Sequence, residues 1–197
     1  AAILAARRDQ QYIRQGDFEG AMERVLTGLQ RRRVVSEKEK RILAYHEAGH
    51  ALLAHLMGDV MPVQKVTIVG RGDALGLAYY LPAEDRYLHT KEELVDVMKV
   101  ALGGRAAEEI VFGRVTNGAA SDLEKVTHTA KQMIMRFGMS EKLGPRVFGH
   151  DHGQPFLGRE FSSEPDYSDE IASEIDSELR RLVENAHQTA HRVLEEH

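Results

Sequence analysis

The chain has 197 residues, 42% hydrophobic and 29% charged, with a net charge of −5. That balance fits a folded globular chain, argues against disorder, and gives no reason to expect nucleic acid as a partner. Cys is absent while His numbers ten, so disulfides, a Cys nucleophile and Cys-based zinc sites are excluded, and any metal must be held by His, Asp and Glu.

No apolar run approaches the roughly 20 residues of a membrane span, and no secretory signal is visible. The chain opens without Met inside a helical pattern, AAILAARRDQQ, which reads as a piece of a longer protein. Its first 28 residues predict two short helices. The second, opened by Gly16-Asp17, sets Phe18, Met22, Val25 and Leu29 at helical spacing, with Gly28 as a stop. Arg31, Arg32 and Arg33 read as a solvated linker, with an anion contact as the alternative.

Ser36 and Glu39 form a capping box that opens a helix over 37–57, stopped by Gly58. The runs 63–69 and 75–82 flank a Gly/Asp turn and predict a hairpin closed by Pro82. Thr90 precedes a helix over roughly 91–112. Gly103-Gly104 inside it costs stability unless a neighbour packs closely there.

Asn117-Gly118 marks a loop, and Ser121 with Glu124 predicts a second capping box for a helix over 122–137. The Gly- and Pro-rich segment 138–167 reads as a long mobile loop. A closing helix follows, with Ile171, Ile175, Leu179, Leu182, Val183, Ala186, Ala190 and Val193 in one stripe. The fold class is therefore mainly α, with a small hairpin and a long C-terminal helix.

Chemistry concentrates in His46-Glu47-Ala48-Gly49-His50, an H-E-x-x-H pattern. On a helix, positions i and i+4 share a face, with Cβ atoms roughly 5–6 Å apart, so both imidazoles can hold one zinc. Glu47 lies about 100° round the helix and can reach a water in an open coordination position, as general base. Ile42, Leu43, Leu53, Ala54 and Met57 share the face of the two histidines, which therefore point into the fold. There a buried imidazole needs a partner. Two core histidines satisfied by backbone carbonyls are the alternative.

The third ligand is not a third His nearby: Leu53 and Leu56 stand where the longer metalloprotease pattern needs Gly and His, and His55 faces away. Glu108, Glu109, Asp122 and Glu124 are candidates. Val126, Ala130, Met133, Ile134 and Phe137 define the buried stripe of the later helix; Asp122 borders it and Glu124 lies outside. An inward carboxylate in a first turn suits a metal, and equally suits the helix dipole. Glu108, ahead of Glu109, is placed to accept a hydrogen bond from a ligand imidazole and fix its tautomer; pairing with Arg105 is the alternative for both. His187 and His191, also at i, i+4, read as a solvated face.

AYHEAGHALLAHL, KVTIVGRGDALG, LPAEDRYL, LGGRAAEEIVFG, VTNGAASDLEKVT and FGMSEKLGP occur in the order seen in FtsH-type AAA+ zinc metalloproteases, and the resemblance runs from about residue 36 to the end. It implies a helical zinc peptidase domain over 31–197, binding one Zn2+, with Asp122 as the third ligand after His46 and His50. Residues 1–30 resemble the last helices of an ATPase lid subdomain. No P-loop is present in this chain. The resemblance thus puts ATP and Mg2+ on a missing ATPase domain, and the membrane anchor in missing N-terminal sequence. It implies a homo-hexamer acting on unfolded polypeptides, anchored in the bacterial inner membrane or an organelle equivalent, with this domain in the cytoplasm. Strand 75–81 is a candidate edge for pairing with an extended substrate. Two other classes compete with the peptidase: a metal-free or structural-metal assembly module, and a hydrolase of small molecules.

Overall fold

A computed structural model of the chain describes residues 1–27, 35–57, 62–69, 77–80, 88–149 and 167–197. Six α-helices occur among these residues: α1 (Ala2–Ala6), α2 (Gln15–Thr27), α3 (Glu37–Leu56), α4 (Lys91–Phe112), α5 (Ala120–Lys131) and α6 (Asp169–Glu196). Strands β1 (Val63–Thr67) and β2 (Leu77–Tyr80) pair antiparallel, Thr67 opposite Leu77 and Val63 opposite Tyr80, with an irregularity between Val63 and Lys65. The mainly α expectation, with its small hairpin and long closing helix, holds. Gly28, Gly58, Pro82, the Gly/Asp turn and the arginines at 31–33 lie outside the described residues.

Both long inner helices start as their sequences dictate. Ser36 Oγ accepts the Glu39 N–H at 3.2 Å, and Glu39 accepts the Ser36 N–H at 3.0 Å. Thr90 and Glu93 repeat the arrangement on α4. Each cap stabilises its helix by about 1 kcal/mol. Gly113 ends α4 in the left-handed conformation, φ 62°, where a side chain would be strained.

The core is built where α3, α4, α5 and α6 meet, around Leu53, Met98, Leu102, Ala106, Val126, Ala130, Met133, Ala186 and Ala190. Gly49 and Gly103 let α3 and α4 approach backbone to backbone: a Cβ on Gly49 would overlap the Gly103 carbonyl oxygen. This close packing is the compensation that Gly103-Gly104 required. The α6 stripe also packs as expected, with Ile175, Ala186 and Ala190 buried and the other members against the core.

Helix α2 forms as its spacing dictates but stays largely uncovered, and two expectations about α5 fail. In α2, Phe18, Met22 and Val25 are exposed, Val25 at 84%. The spacing makes an amphipathic helix, but among the described residues only the five-residue α1 packs extensively on it. Ser121 caps nothing. A 3₁₀ turn, Asn117–Ala119, runs straight into α5, and its cap is Thr116, whose hydroxyl accepts the Gly118 N–H. Beyond Lys131 the helix widens into a π turn, Gln132–Arg136, and the extra residue in that turn carries Phe137 out to solvent.

Part of the expected mobile loop is packed as well. Residues 138–149 bury Leu143 and Phe148 against Ile134 and Ile175. Phe148 N–H donates to the Met135 carbonyl at 2.8 Å. Ser140 donates to Glu178 on α6 at 2.6 Å. Gly and Pro set the turns, while the interspersed Leu and Phe supply the anchors. Residues 150–166, with His150 and His152, lie outside the described residues.

Candidate metal centre

The capping box fixes where α3 begins, and helical geometry then stacks His46 and His50 one turn apart, both buried. Across from them, α4 carries Gly104. A Cβ at that position would overlap the His46 imidazole, so glycine provides the space for the ring. The first turn of α5 brings in Asp122.

These three residues converge. His46 Nε2 and His50 Nε2 are 3.1 Å apart, and Asp122 Oδ2 lies 3.4 Å from each. They form one group of donor atoms able to hold a metal. Glu47 is buried beside them. Glu124 and His55 are exposed, as their helical angles require.

The far side of each ring determines what the near side offers. His46 Nδ1 is 2.7 Å from Glu108 Oε1, and His50 Nδ1 is 2.7 Å from the Val100 carbonyl oxygen. Both partners only accept, so each Nδ1 donates and each neutral ring presents a bare lone pair at Nε2. The Gly104 N–H stands 3.4 Å from His50 Nδ1, too long to compete with the 2.7 Å contact to a carbonyl. Two lone pairs and a carboxylate oxygen therefore face one another in a buried pocket. That is repulsive until a cation or a proton joins them.

With protons in place of a cation, the rings donate to Asp122 and the electrostatics favour that positive charge. Burial alone pushes the Asp122 carboxyl up. The hydrogen bonds with His46 and His50, the His50 charge and Lys125 at 3.2 Å outweigh it and hold the carboxyl far below the usual range. Burial alone pushes the His46 imidazole down, but hydrogen bonds to Asp122 and Glu108 and the charges of Glu108 and Glu47 raise it. The pocket is thus tuned to attract positive charge.

Zinc fits the donor set. Tetrahedral bonds of roughly 2.0–2.1 Å separate two ligand atoms by about 3.3 Å, close to the three distances here. The set also follows the pattern of three protein ligands with one position left open.

Glu108 is 1% exposed, and its carboxylate lies against the His46 ring. Glu109 does not reach the histidine pair. Its carboxylate meets Arg105 at 3.1 Å and His187 Nε2 at 2.9 Å. His187 and His191 are consequently half-buried rather than a freely solvated face. The sequence reading missed Thr116 and the Val100 carbonyl. Thr116-Asn117-Gly118 carries a hydroxyl-turn signal that marks Thr116. No residue type marks the Val100 carbonyl.

Among the described residues no helix is long and apolar enough to cross a membrane. The model of peptidase family M41 matches residues 33–197. The ATP-dependent zinc metalloprotease FtsH 1 of Conexibacter woesei is 60% identical over 198 residues, covering 100% of this chain and 30% of that protein. The ATP-dependent zinc metalloprotease FtsH of Rubrobacter xylanophilus is 50% identical, covering 98% of this chain and 30% of that protein. The Bacillus subtilis protein of the same name is 48% identical, covering 100% and 31%. The chain thus spans about a third of the length of the curated relatives it matches. With the matched region enclosing α3 through α6 and all three converging donors, the chain belongs to peptidase family M41.

Proposed function

We propose that this chain is the zinc-dependent endopeptidase part of an ATP-dependent protease. The observation that carries the reading is the convergence of His46 Nε2, His50 Nε2 and Asp122 Oδ2 with both Nδ1 atoms tied to acceptors. His46, His50 and Asp122 would hold the zinc. When bound, zinc lowers the pKa of a coordinated water toward ~7 and polarises a carbonyl.

The chain's own residues have distinct tasks. Glu47, one residue from His46 and buried at the same site, takes a proton from the attacking water and returns it to the leaving amine. Glu108 holds the His46 tautomer, which keeps the ligand nitrogen unprotonated. Asp122, held as a carboxylate, adds the negative charge that balances a divalent cation.

The substrate is an extended, unfolded polypeptide, and β2 is the strand offered for backbone pairing. The relatives' names support an ATP-dependent parent protein, and this chain matches only a third of their length. On that reading ATP and Mg2+ bind elsewhere in the parent protein. Residues 1–30 are the end of its ATPase lid, and 31–197 assemble as a membrane-anchored homo-hexamer.

Two variants test the chemistry. Glu47→Gln retains zinc and loses nearly all cleavage of an unfolded protein, whereas His46→Ala loses both. Full activity in Glu47→Gln would refute the general base. A short acylated dipeptide assayed beside the unfolded protein separates an endopeptidase from a hydrolase of small molecules.

A further inference from the structure

Glu108 is a buried carboxylate that accepts more than the His46 ring. Thr116 N–H donates to its Oε2 at 2.7 Å, and the Thr116 hydroxyl donates to its Oε1 at 3.2 Å. The same hydroxyl accepts the Gly118 N–H at 3.1 Å and so caps the 3₁₀ turn that runs directly into α5. Asp122 sits in the first turn of that helix, six residues from Thr116. One hydroxyl therefore joins the carboxylate that orients His46 to the turn that presents Asp122.

Resting on the metal-centre reading above, we propose that Thr116 is a positioning residue of that centre. Through Glu108 it sets the His46 ring, and through the turn it sets Asp122, so that ligands from two distant stretches of chain reach one point together. A residue that only capped a turn would need no bond to Glu108. Glu108 would in turn have fewer partners than a buried carboxylate requires. Outer partners of this kind change metal affinity by roughly 10–100-fold.

The test uses the full 197-residue chain and compares parent, Thr116→Val and Thr116→Ser. Three quantities are read: zinc affinity by chelator competition, the melting temperature of the metal-free chain, and the low-field Nδ1 proton resonance of His46 in the zinc-loaded chain. Thr116→Val is expected to weaken zinc roughly tenfold and to move the His46 resonance upfield; Thr116→Ser restores both. A lower metal-free melting temperature in Thr116→Val, with zinc affinity and resonance unchanged, would overturn the proposal and leave a cap alone. If Thr116→Val does not fold, hydrogen exchange on the parent decides. Zinc is expected to slow exchange of the Thr116 amide at least tenfold, and no slowing overturns the proposal. Failure of the parent chain to bind zinc would instead refute the metal-centre reading.

Discussion

Helices α2 and α3 carry the same kind of sequence signal and meet opposite fates. Both space apolar residues at three and four positions. In α3 that spacing buries Leu53 and Ala54 beside the two histidines, sealed against α4 by Gly49 and Gly103. In α2 it leaves Phe18, Met22 and Val25 exposed. Periodicity tells which face is apolar; it does not tell what covers it. What separates the two helices is the partner surface. Across from α3, α4 offers glycines cut to the contact, whereas α1 is one short turn and a half.

The sharpest way to break this contrast is at Gly49. Alanine is the better helix former by about 1 kcal/mol, so propensity alone predicts stabilisation. The Gly103 carbonyl in the way predicts the reverse, a loss on the order of 4 kcal/mol in chemical denaturation. A stabilised Gly49→Ala would mean that the helices are not in backbone contact. Leu53→Ala, at a side chain with no exposure, is expected to cost roughly 3 kcal/mol.

Glu178 gives a smaller, pH-dependent effect. Arg181 donates to it twice at 2.9 Å and Ser140 once at 2.6 Å. Chiefly through Arg181, against burial, its folded pKa lies below the ordinary value. A depressed carboxylate stabilises above its unfolded pKa, about 4.3, and that stability disappears as pH falls through the lower folded value. Glu178→Gln is therefore expected to lose about 1–2 kcal/mol at pH 7, and the gap to the parent closes below about pH 4. A gap independent of pH would contradict the pairing. The smallest effect belongs to α2. Val25→Ser should change stability by less than about 0.5 kcal/mol, and a larger loss would mean that something covers that face.

How much of this was legible follows from the same distinction. Helix starts at Ser36 and Thr90 were readable because caps are local chemistry between residues three apart. The histidine pair was readable because i, i+4 spacing is fixed by the helix itself. For the third donor, spacing left several carboxylates open and only the family resemblance singled out Asp122, since a contact across 72 residues depends on how helices pack. The π turn after Lys131 and the 3₁₀ entry to α5 were not legible. The sequence of the π turn suits an ordinary α-helix, and tertiary packing of Met133, Ile134 and Phe148 sets its winding; Asn117-Gly118 marks a break before α5, but not that the turn runs straight into the helix with Thr116 as its cap. The packed stretch 138–149 was hidden by its Gly and Pro content, which marks turns whether or not the turns are anchored.

The central claim is that His46, His50 and Asp122 form one zinc site. Zinc per chain, measured by elemental analysis after mild dialysis of the parent and of Asp122→Ala, tests it most directly. The account predicts close to one zinc per parent chain and a clear loss in the variant. Near-zero zinc in both after zinc is resupplied, or full zinc in both, would contradict it.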